Sequence, residues 1–245
     1  RRGGNGGAGP GAGHAGRWKG AGEMGCRVGS GVNGRVDGGP GNGTLYNSIL
    51  TIGYNGRLAN HHRKLVPTYT ERMVWGNGDG AGLVTTGSKP RIGGLICWEH
   101  WMPFGRMALH EEGEDGHVAL WPTAHELHQM CSRHYAFEGR CFVIAVGLMM
   151  HARDIPKELR KTSRAEKNIV KQAGGWIERG GSAIIAPDGR YVIEPVYDRE
   201  EMLVADLDLA EIDRAVMTLD VSGHYSRPDV FGFTVDRTRR SSPKR

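Results

Sequence analysis

The sequence is poor in four things. It has only four cysteines in 245 residues, Cys26, Cys97, Cys131 and Cys141, too few for a disulfide framework in a chain of this length. A reducing, cytoplasmic setting is the expectation. It lacks a long apolar run: the longest, Cys141–Met150, spans ten residues, too short to cross a bilayer, so no membrane partner is expected. No apolar stretch follows Arg1-Arg2, so no secretory signal is expected. It also lacks a basic stripe in its centre. Residues 1–43 hold six basic and two acidic side chains and residues 236–245 hold five and one, leaving 21 basic against 24 acidic between them. The net charge of +5 is therefore a property of the two ends. With Trp18 the lone aromatic in those ends, no nucleic-acid partner is expected.

Glycine is abundant but unevenly placed, with 18 of the 39 in residues 1–43. Residues 1–22 show neither strand nor helix periodicity and cannot bury enough apolar surface to offset their ordering entropy. They are expected to be disordered, with a folded domain over 23–235 and a solvated basic tail over 236–245. From Thr44 the pattern changes. Strands are predicted at Leu45–Ile52, Arg57–His61, Arg91–Ile96, Val118–Trp121, Cys141–Leu148, Ser182–Ala186, Tyr191–Glu194 and Met202–Asp206. Turns fall at Gly53-Tyr54-Asn55-Gly56 and Pro187-Asp188-Gly189. Helices are predicted at Met102–Glu112, Ala124–Glu138 and Leu209–Leu219, the last capped by Asp208. Strands interleaved with helices make the class α/β.

Cys97 stands where the strand ending at Ile96 meets a helix start. A tight turn there raises one side chain at the sheet's end and aims backbone amides at whatever that side chain attacks. A thiol so placed is a candidate nucleophile; the alternative is a buried structural cysteine. Trp98, Glu99 and His100, next to it in sequence, are candidates for substrate contact, with helix capping the alternative for Glu99. Lys64 and Glu71 share a loop that Pro67 keeps from being helical. They form either a buried pair facing a pocket or a solvated ion pair. Gly76-Asn77-Gly78-Asp79-Gly80 lacks the Lys and Ser/Thr of a phosphate loop and reads as turns. His61-His62 reads as a solvated strand end. His125, His128, Cys131 and His134 recur every three residues, a step that spreads them around a helix and prevents convergence on one ion. No metal and no organic cofactor are expected.

Several segments together resemble the nitrilase, or carbon–nitrogen hydrolase, superfamily. Arg63-Lys64-Leu65-Val66-Pro67-Thr68, Glu71-Arg72-Met73-Val74-Trp75-Gly76 and Gly78-Asp79-Gly80 resemble its lysine motif. Gly94-Leu95-Ile96-Cys97-Trp98-Glu99 resembles its cysteine motif. Arg133-His134 with Phe137-Glu138-Gly139-Arg140 is similar to the helix behind the site. Asp220–Phe231 resembles the tail of true nitrilases, to which Trp98-Glu99 also points. The resemblance implies an αββα four-layer sandwich, Cys97 as nucleophile, Lys64 as the charge stabiliser and Glu71 as the glutamate positioning it. It further implies a small nitrile as substrate and a homo-oligomer, a dimer or a spiral. Amidases and nitrile-hydrating relatives share the nucleophile, and a non-catalytic remnant of the same fold is a third reading. The family's base glutamate lies on an early strand. Glu23, the only glutamate in residues 1–43, does not match its motif, so the first strand and helix are expected to be missing and activity impaired.

Overall fold

The structure, a computed structural model, describes residues 44–156 and 174–240 together with the backbone of 27–34. Among the described residues, nine strands form two sheets. The smaller is antiparallel, in the order β1 (Arg27–Gly34), β2 (Leu45–Ile52), β3 (Leu58–Arg63). The larger runs β4 (Ile92–Ile96), β5 (Gly116–Trp121), β6 (Phe142–Gly147), β8 (Trp176–Ile185), β7 (Met149–His151), with β9 (Tyr191–Tyr197) also on β8. β4, β5 and β6 are parallel, and the antiparallel strands lie beyond them. α1 (Pro103–His110) and α2 (Glu126–Gly139) are the crossovers.

Each strand's residue pattern matches its position. β4–β6 are apolar almost throughout because both faces are covered: Leu95, Ala119 and Val143 have no solvent exposure. One face meets α2, whose Cys131, Ser132, Tyr135 and Ala136 form a buried helical stripe. The other meets β2, whose Ile49 joins the same core. Gly94 makes that approach possible: a Cβ there would sit 3.4 Å from the Ile49 side chain and 3.1 Å from the Val118 carbonyl. Pro103 opens α1, and Arg140, left-handed at φ 49°, closes α2. The described residues thus form helix, sheet and sheet layers. The segment 1–22 lies outside them.

Two expectations change. Residues 201–208 form no strand: Asp198, at φ 61°, turns the chain after β9, and 201–208 pair with no strand among the described residues. The return strand of the first hairpin runs on to Arg63, which carries His62 into the interior at 1% exposure, so His62 is a core residue and not a solvated strand end. α3 (Ala210–Val216) begins as read, with Asp208 Oδ1 accepting from Ala210 N at 3.0 Å.

Candidate active site

Cys97 follows β4 and begins a short 3-10 turn, Cys97–Trp101. Its φ is +56°, a left-handed conformation that costs a non-glycine residue of order 1 kcal/mol or more and persists only where the surroundings enforce it. The sulfur is buried, and burial pushes the thiol above its usual range. The Lys64 charge and the Trp98 amide oppose that shift, while Glu71 and Glu99 add to it.

Lys64 leaves the end of β3 and is 1% exposed. Its Nζ donates to Thr68 Oγ1 at 2.8 Å and to Glu71 Oε2 at 2.5 Å. Glu71 Oε2 also accepts from Thr68 N at 2.7 Å. The loop closes back on itself through Gly78 N, which donates to the Lys64 carbonyl at 2.8 Å. A Cβ on Gly78 would fall 2.2 Å from the Arg63 carbonyl, so only glycine permits this closure. At the lysine end the pair is buried, and its charge reaches Cys97.

Glu99 connects the two segments. Its carboxylate is buried and accepts from Leu65 N at 2.7 Å, Ile96 N at 2.8 Å and His62 Nε2 at 3.0 Å. Burial pushes this carboxyl up, but His62 and the two amides outweigh it and hold it below its usual range. Since Leu65 adjoins Lys64 and Ile96 adjoins Cys97, one carboxylate fastens the lysine loop to the cysteine elbow. Its oxygens therefore face the protein interior. His100 is also fully buried, its Nδ1 donating to the Cys97 carbonyl at 2.7 Å. Of the three candidates for substrate contact, only Trp98 is exposed, edge-on to Trp101.

Two further clusters support the site. Behind the elbow, Arg106 donates to the His100 carbonyl at 3.0 Å and to Glu138 Oε2 at 2.6 Å, and His110 Nε2 lies 3.2 Å from the same oxygen. Burial pushes Glu138 up, but the His110 and Arg106 bonds and charges pull it down to about 2. On the other flank, Asp79 is buried and receives Arg63 at 3.3 Å, Arg239 at 3.1 Å and Arg240 N at 3.1 Å. Residues 236–240, assigned to the tail on composition, are thus docked beside the lysine loop, and 241–245 lie outside the described residues. Of the residues spaced by three, His125 and His128 lie together at the start of α2 with rings 5.9 Å apart, the Cys131 thiol donates to the His100 carbonyl at 3.4 Å, and His134 is exposed.

His62 and Asp79 are the residues that sequence reasoning missed. A signal existed for His62, because strand period places it on the same face as Lys64.

Two facing sheets, with a cysteine elbow on one and a buried lysine at the end of the other, define a nitrilase-like α/β fold. The carbon-nitrogen hydrolase family model matches residues 12–216, beginning ahead of the boundary expected at residue 23. The chain belongs to the carbon–nitrogen hydrolase family. It is 40% identical over 205 residues to an aliphatic nitrilase of Sinorhizobium fredii, covering 82% of this chain and 63% of that protein. It is 39% identical over 194 residues to a bifunctional nitrilase/nitrile hydratase of Lupinus angustifolius, covering 78% of this chain and 55% of that protein. The chain therefore spans between half and two thirds of these relatives' length. Among solved structures, a carbon-nitrogen hydrolase from Helicobacter pylori shares the fold at TM-score 0.63 and 16% identity, over 82% of this chain and 68% of that one. Nit3 of Saccharomyces cerevisiae shares it at TM-score 0.57 and 19% identity, over 76% and 62%.

Proposed function

We propose that the chain carries the nucleophile and lysine of a nitrilase, an enzyme that converts a nitrile and two waters into a carboxylic acid and ammonia. The observation that carries this reading is Cys97 on its left-handed elbow, within the field of the buried Lys64–Glu71 pair. The thiol adds across the C≡N bond: the S–C bond forms, one C–N π bond breaks, and the nitrogen takes a proton. Lys64 and the Trp98 amide offset the charge that develops. Water then displaces ammonia, and a second water releases the acid. Glu71 positions Lys64, and no metal or organic cofactor takes part.

Both water steps need a base. Among the described residues, two carboxylates act electrostatically on Cys97, and both are engaged: Glu71 by Lys64 and Thr68, Glu99 by three donors. The exposed Leu127, Met130 and Phe137 on α2 favour homo-oligomerisation.

Intact-mass analysis tests the reading. Incubation with a panel of small nitriles should add one nitrile mass to the protein and release ammonia, and should do neither with Cys97→Ala. An equal adduct or equal ammonia release from Cys97→Ala overturns it. The acid-to-amide ratio separates nitrile hydrolysis from nitrile hydration.

A further inference from the structure

Behind Cys97 lies a line of buried polar groups that the chemistry above does not use. His100 Nδ1 is 2.7 Å from the Cys97 carbonyl, and His100 Nε2 is 3.0 Å from His117 Nε2. His117 Nδ1 is 2.7 Å from Glu114 Oε1, and Tyr135 donates to Glu114 Oε2 at 2.7 Å. All four side chains are at most 4% exposed. The site is built around them: His117 stacks on Tyr135 at 3.8 Å and His100 lies against Trp121 at 4.5 Å. A Cβ at Gly93 would fall 2.1 Å from Glu114 Oε1, so β4 needs glycine there to admit the carboxyl.

The protons in this line follow from one fixed end. A carbonyl oxygen only accepts, so His100 carries its proton on Nδ1. A neutral His100 then offers a lone pair at Nε2, and His117 must donate to it. Burial, with the His110 charge, holds His117 well below its usual value, so it is neutral, and that donation uses its one proton and leaves Nδ1 as an acceptor. The group facing that nitrogen is Glu114, which must donate and is therefore a carboxylic acid. Burial acts in the same direction, pushing Glu114 up to about 8 and His100 down to about 3.

We propose that Glu114 is a resident carboxylic acid whose proton orders the chain Glu114–His117–His100, so that His100 donates to the Cys97 carbonyl and holds the elbow in its left-handed shape. Glu114, His117 and His100 are positioning residues. The proposal rests on Cys97 being the reacting group, but its proton assignment does not.

The test uses the full chain. Long-range ¹⁵N–¹H spectra should show a neutral Nδ1–H tautomer for His100 and a neutral Nε2–H tautomer for His117 at pH 6. A doubly protonated His117, or His100 protonated at Nε2, overturns the assignment. Glu114→Gln can donate to His117 and accept from Tyr135, so it should preserve both tautomers. It should also preserve the pH profile of Cys97 alkylation by iodoacetamide, read on the Cys97 peptide. Glu114→Met removes the donor and should change that alkylation rate about tenfold, the factor equal to about 1.4 kcal/mol. If Glu114→Gln disturbs Cys97 as much as Glu114→Met, the group is needed as an anion and the proposal fails. If Cys97→Ala still turns over nitriles while the tautomers are as stated, the catalytic reading fails and the proton assignment stands.

Discussion

Replacing Glu114 by glutamine should make the protein more stable as pH rises. Glu114 has an ordinary value of 4.5 and is pushed to about 8 in the fold, chiefly by burial, with Asp115 adding to the shift and Tyr135, His110 and Gly93 N opposing it. A raised folded value means the native state holds the proton more tightly than the unfolded chain. The associated stability is fully present below pH 4.5 and is lost as pH climbs to about 8. Each pH unit in that window is worth about 1.4 kcal/mol, so three units, from pH 5 to pH 8, amount to about 4 kcal/mol. Glutamine keeps the donor, the acceptor and the shape but does not titrate. Wild type and Glu114→Gln should therefore be similar in urea unfolding near pH 5. The variant should be ahead by about 4 kcal/mol near pH 8, with no change in m-value. Stability curves that stay parallel across this range would refute the argument. Parallel curves are what a Glu114 carried as a carboxylate would give, because its stability changes only below about pH 4.5.

Glu138 should behave oppositely. Its folded value of about 2 lies below 4.5, so its contribution is present above pH 4.5 and is lost as pH falls toward 2. In acid unfolding followed by tryptophan fluorescence, the gap between wild type and Glu138→Gln should shrink by about 2 kcal/mol across that window, a value reduced for the partial exposure of the group. A constant gap would contradict this. Asp79→Asn should deprive Arg63 and Arg239 of one buried counter-charge. It should cost about 3 kcal/mol and speed trypsin cleavage at Arg237 and Arg239 several-fold at a temperature where the variant stays folded. Unchanged cleavage would show that residues 236–240 are held by something other than Asp79.

What could be read from the sequence follows the range of the forces involved. Strands β2, β4 and β6 and the start of α3 are set by local periodicity and capping, and they appear within a residue or two of where those rules put them. The strand expected at Met202–Asp206 has equally suitable residues but needs a neighbour, and among the described residues it has none. The site divides along the same line. Cys97 at a strand end and Lys64 with Glu71 on one loop are visible because few residues separate them. Glu99 looked like a cap, and it does accept from Ile96 N. Its larger effect, holding Leu65 and His62, spans 34 and 37 positions and exists only once the two sheets face each other.

Glu114 is further from view still. In sequence, Glu114-Asp115 is an ordinary acidic pair after a helix. Its significance depends on Gly93 across the strand boundary, which leaves room for a carboxyl, and on Tyr135 from α2, which covers it. Once water is excluded, the charged form loses its solvent and the neutral form gains a fixed acceptor in His117 Nδ1. The protonation state is thus a product of tertiary packing. The same packing keeps Cys97 at a positive φ that its own side chain disfavours. An elbow of this kind can be inferred from a strand-cysteine-helix junction, but what holds its shape comes from residues 3 to 38 positions away, each ordinary until the fold encloses it.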